Sequence, residues 1–67
     1  MSAYRLAFER APSEFTSSRY GYFTREAAIR AAPTLNSVRS ARREAAYTHV
    51  AAIDGANVRL IELPRAA

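Results

Sequence analysis

The spacing of apolar residues changes period several times along the chain. In residues 3–10, AYRLAFER, the large side chains Tyr4, Leu6 and Phe8 alternate with small or charged ones. That period of two predicts a strand with one buried face. Tyr4, Ala7, Phe8 and Ala11 also fit one face of a helix, but the aromatic content favours the strand. Pro12 closes the element in either case, because it lacks an amide hydrogen and restricts Ala11. Residues 13–23, SEFTSSRYGYF, read equally as a returning second strand or as a loop. Gly21 marks a bend, or a place where the backbone needs room.

The period then lengthens. Residues 24–33, TREAAIRAAP, predict a short helix. Thr24 is its N-cap, and Glu26 sits in the first turn, where negative charge is favoured. Ala28, Ile29 and Ala32 share a face; Glu26 and Arg30 are four apart in the favourable order. Pro33 is expected to end this helix. Residues 34–47, TLNSVRSARREAAY, predict a second helix capped by Asn36 or Ser37. Its narrow apolar stripe is Val38, Ala41 and Ala45. A competing reading extends SVRSAR as a strand.

YTHVAAI and NVRLIEL flank Asp54-Gly55, a strong hairpin signal. A loop of two or four residues groups Ile53 and Ala51 with Val58 and Leu60 on one face. Val50, Ala52, Arg59, Ile61 and Leu63 then lie on the other. A three-residue loop would move Arg59 beside Ile53, which groups the apolar residues less well. Neither face is fully polar, so helices are expected on one side, with partial cover or a partner on the other. Pro64 stops the sheet, and a loose tail is expected after it. The element order predicts one α+β domain over residues 1–67: a small antiparallel sheet with a C-terminal β-hairpin, covered on one face by two short helices.

Composition thins this picture. Of the 67 residues, 49% are hydrophobic, but fifteen of them are alanine, which buries little area. One thin core is the most the larger side chains can fill, and self-association or a protein partner would supplement it. No cysteine is present, which excludes disulfides, thiolate metal sites and cysteine nucleophiles. No apolar run reaches the length of a membrane span, and the N-terminus lacks the continuous apolar segment of a signal peptide. The expectation is a cytoplasmic protein with no membrane partner.

The formal charge is +4, carried by ten basic residues that are all arginine. A GC-rich coding sequence explains arginine in place of lysine but not the positive sign, which draws a protein toward nucleic acid or acidic surfaces. Arg39, Arg42 and Arg43 fall on one flank of the expected second helix, where the like charges of Arg39 and Arg43 repel. The plain reading is a solvated face. The functional reading is that an anion relieves the repulsion, either a phosphate backbone or a carboxylate-rich protein surface. Arg59 could join that patch from the sheet. RYGYF (19–23) adds Arg19, Tyr20 and Tyr22, which read as core packing, as a protein hot spot or as a stacking platform for bases.

His49 is the only histidine. Tyr47 and Glu62 could approach it across a hairpin, but any small hairpin offers such a grouping, and a structural histidine is the simpler reading. One histidine and six scattered carboxylates carry no metal-ligand spacing. Glycine-rich phosphate loops and nucleophile elbows are absent, and no cofactor is expected. The expectation is a small, basic, non-enzymatic protein-interaction module, an inhibitor or accessory factor of a larger nucleic-acid-handling assembly. Its macromolecule-binding residues would be Arg39, Arg42, Arg43, Arg59, Arg19, Tyr20 and Tyr22. Its partner would be a protein with an acidic surface, or nucleic acid bound directly through the arginines, and a homo-oligomer fits the thin core. A small enzyme using His49 is the most distant alternative.

Overall fold

The computed structural model describes residues 2–64. Strand β1 (Ser2–Ala11) turns into β2 (Glu14–Ser17), helix α1 (Arg25–Ala41) follows, and β3 (His49–Asp54) and β4 (Asn57–Glu62) form the C-terminal hairpin. The four strands make one sheet in the order β2-β1-β3-β4, every neighbour antiparallel.

The alternation in β1 works as its sequence suggests. Leu6 pairs in register with Val50, and both are fully buried against Ala28 and Ala32 of α1. Tyr4, Tyr22, Ile29, Leu35, Tyr47 and Leu63 pack around that centre. Alanine at the contact lets the helix sit close to the sheet, at the cost of apolar area. The helix rests on β1 and β3.

The expected pair of helices is corrected to one. A single helix of 17 residues runs through Pro33. Ala28, Ala32 and Leu35 continue one stripe across the proline at helical spacing, so the sheet holds both halves in line. Pro33 lies on the exposed side. Its cost is a missing hydrogen bond to the Ile29 carbonyl and a ring crowded against that group. The N-terminus follows the sequence reading: Thr24 Oγ1 accepts from the Ala27 amide at 3.1 Å.

Residues 42–47 of the expected second helix are not helical, for a local reason. The Arg43 amide donates to the Ser40 carbonyl and the Glu44 amide to the Arg39 carbonyl. With Arg43 in the left-handed region at φ 59, this is a Schellman ending. Asn36 caps nothing. Its side-chain amide donates to the Tyr47 carbonyl at 3.1 Å, and its oxygen accepts from the Tyr47 amide at 2.7 Å. That reciprocal pair fastens the segment returning to β3.

Residues 13–23 combine both sequence readings. Strand β2 takes Glu14–Ser17, and the irregular chain after it returns to β1 through paired Tyr4–Tyr22 backbone bonds of 3.0 and 2.7 Å. A Cβ on Gly21 would meet the Tyr4 carbonyl at an ordinary 3.9 Å, so close approach does not explain this glycine. In the C-terminal hairpin Asp54 pairs with Asn57. The resulting two-residue loop puts Gly55 at φ +60. Ile53 faces Val58 and Ala51 faces Leu60, the grouping expected of an even-length loop.

Two substitutions test the helix. Pro33→Ala restores an amide and should stabilise the fold by about 2 kcal/mol. Arg43→Gly relieves the left-handed residue and should add about 1 kcal/mol. Urea unfolding reads both, and a loss of stability in either variant would contradict the local account.

Candidate macromolecule-binding groove

An open groove of about 680 Å³ is lined by residues of helix α1, of β1 and of the chain leaving β2. Phe8, Leu35 and Tyr47 supply apolar and aromatic wall, and Arg19, Tyr20, Tyr22, Arg39, Arg42 and Glu44 are among the other lining residues. Five of the seven binding residues expected from sequence therefore share one concavity. They arrive from segments about twenty residues apart.

A buried serine sets one wall. Ser18 Oγ accepts from the Leu6 amide at 3.2 Å and donates to the Tyr20 carbonyl at 2.9 Å. The Ser18 amide donates to the Leu6 carbonyl, and Arg5 Nη1 donates to the Ser18 carbonyl. These bonds turn the chain so that Tyr20 projects outward, 76% exposed. Tyr22 folds back, half-buried, onto the core.

Arg39 belongs to the opposite wall and is turned inward, its side chain only 18% exposed. Its guanidinium lies 4.8 Å from the Phe8 ring centre and 4.5 Å from that of Tyr47. Nε donates to the Ala45 carbonyl, and Nη1 reaches the Tyr47 hydroxyl at 3.4 Å. Glu44 adds an ion pair at 3.7 Å. A planar cation with donors along its edge can stack and hydrogen-bond at once, which an ammonium cannot. Arg39 thus ties the segment after the helix to β1.

Arg42 stands as the helix C-cap, exposed at the groove. Arg43 is also exposed but lies outside the lining. Arg59 sits on β4, opposite Ala52, in a separate depression with Tyr4 and Asn57. It does not join the other arginines. The sequence reading missed Phe8, Leu35 and Tyr47 as groove residues. Phe8 had a signal, since it shares the β1 face of Leu6; the meeting of Phe8 with Tyr47 had none.

His49 is on the sheet face away from the helix. Its ring stacks edge-on to Phe15 at 5.0 Å, and Nδ1 is 2.7 Å from the Thr48 hydroxyl. Glu62 is its register partner, whereas Tyr47 packs with Phe8 on the other side. Among the described residues no group of three or more His, Cys, Asp or Glu side chains could hold a metal. None of the described helices is long and apolar enough to cross a membrane. Compared with known families, curated proteins and solved structures, the chain matches none.

Substitution separates the two helix-end arginines. Arg39→Ala should destabilise the fold by about 2–3 kcal/mol, and Arg39→Lys should recover only a minor part of that. Arg42→Ala should stay within about 0.5 kcal/mol of the parent. Equal effects at the two positions in urea unfolding would refute the inward role of Arg39.

Proposed function

We propose that the protein is a small non-enzymatic binding module whose groove takes an acidic segment of a partner protein. The observation that carries the reading is the convergence of Arg19, Tyr20 and Arg42 on one aromatic-walled concavity. Arginine and tyrosine over a hydrophobic floor is the composition of a protein hot spot. The two exposed guanidiniums can each take a carboxylate through paired hydrogen bonds. An apolar side chain between those carboxylates would occupy the space beside Phe8 and Leu35.

A phosphate backbone suits the groove less well. Binding along a nucleic acid gains from many cations in a track. Here Arg39 is committed to the protein's own groups, Arg43 and Arg59 lie outside the lining, and the Glu44 carboxylate is part of it. Acting by occupancy, such a module would serve as an inhibitor or accessory factor of its target.

Selection of a random-peptide library on the immobilised full chain tests this reading. Enriched peptides should pair Asp or Glu with one aromatic or large aliphatic residue. Arg42→Glu and Tyr20→Ala should each weaken them about tenfold, or about 1.4 kcal/mol. Arg30→Glu, on the far side of the helix, should not. Enrichment of neutral or basic peptides, or equal loss with Arg30→Glu, would refute the acidic-segment reading. Tight binding of a single-stranded oligonucleotide with a steep salt dependence would replace it with direct nucleic-acid binding.

A further inference from the structure

Glu44 lines the groove together with Arg39, and the contact between the two is loose. Glu44 Oε2 stands 3.7 Å from Arg39 Nη1, beyond the about 2.7–2.9 Å of a charge-assisted hydrogen bond. The Glu44 side chain is 45% exposed. Among the described residues no donor hydrogen-bonds its carboxylate. We infer that Glu44 holds a place on Arg39 that a carboxylate of the bound acidic segment takes over, which makes Arg39 a recognition residue of the groove. The inference rests on the acidic-segment reading above.

Arg39 keeps its position without Glu44. The Phe8 and Tyr47 rings and the Ala45 carbonyl hold the guanidinium independently of it. Nε is used by Ala45, and one Nη1 hydrogen reaches the Tyr47 hydroxyl. Among the described residues the other Nη1 hydrogen and both on Nη2 have no hydrogen-bond acceptor. A ligand carboxylate can therefore bond Nη1 and Nη2 as a pair, whereas Glu44 stands near one nitrogen only. The Glu44 amide is bonded to the Arg39 carbonyl at 2.8 Å, so the side chain can leave by a change of rotamer while the backbone stays. Exchange of one carboxylate for another keeps the charge of Arg39 balanced, and at a side chain only 18% exposed an unbalanced charge is costly.

Two consequences follow for recognition. Solvent screens a pair with the exposed Arg42 more than one with the inward Arg39, so the carboxylate on Arg39 is the stronger anchor of the segment. In the free chain Glu44 competes for that anchor. A segment without a carboxylate at this point leaves Glu44 in place and gains nothing from Arg39, so the competitor sharpens the choice of partner while lowering affinity for all of them.

NMR titration of the isotope-labelled full chain with an acetylated, amidated Glu-Phe-Glu peptide tests the inference. The Arg39 guanidinium resonances should move on binding. Glu44→Gln should lower the peptide's dissociation constant about fivefold with an unchanged circular-dichroism spectrum. Glu44→Asp keeps the charge but withdraws it by one methylene, and should lower the constant about threefold. Glu14→Gln removes the same charge from an ion pair with Arg10 and should leave the constant unchanged. An equal gain from Glu14→Gln and Glu44→Gln, with none from Glu44→Asp, would mean bulk charge alone and overturn the exchange. Binding that weakens in Arg42→Glu, yet leaves the Arg39 resonances still and ignores both Glu44 substitutions, would overturn the exchange and spare the acidic-segment reading. No binding of the peptide to any of these chains would overturn both.

Discussion

The supply of large apolar side chains at the centre is the constraint from which the rest of this structure follows. Among the described residues only Leu6 and Val50 are both large and fully buried; their companions in the core are Ala28 and Ala32 of the helix itself. A core of that volume gives little energy to set against the entropy of ordering the chain. Directional polar contacts therefore fix what hydrophobic packing leaves loose. Ser18 holds the exit from β2, Asn36 pairs with the Tyr47 backbone, and Arg39 binds the same returning segment through its ring contacts and the Ala45 carbonyl.

Two of these fasteners, Ser18 and Arg39, also line the groove. Ser18 sets the course of the chain that presents Arg19 and Tyr20. Arg39, Phe8 and Tyr47 are at once the clamp and part of the lining. The residues that stabilise the loops thus sit next to the residues offered to a partner. The exposed side chains Arg19, Tyr20 and Arg42 can change without disturbing that support, since none contributes a side chain to the buried contacts described above.

Much of the sheet was legible in the sequence because its signals are local. The alternation of Tyr4, Leu6 and Phe8 and the Asp54-Gly55 turn each specify an element within a few residues, and the even-loop argument gave the correct facing of Ile53 and Val58. The single helix was not legible. Pro33 is a helix breaker on local grounds, and its tolerance depends on Ala28, Ala32 and Leu35 meeting a sheet assembled from both ends of the chain. Arg39 shows the same limit. Its place among Arg42 and Arg43 suggested a solvated charge, whereas its surroundings come from Phe8, thirty-one positions earlier, and Tyr47. The joining of RYGYF to the helix end was equally hidden, since nothing local to either segment encodes their meeting.

Helix α1 lies over β1 and β3 and leaves β4 with one neighbouring strand. The ladder to β3, extended by the Leu63 amide bonded to the Thr48 carbonyl, is that strand's main attachment. Its amides should therefore exchange with solvent through brief detachment of the last strand, at a lower free energy than those of β1 and β3. The chain would then behave as a firm body of α1 and the β2-β1-β3 strands with a hinged outer strand, and Arg59 rides on the part that opens.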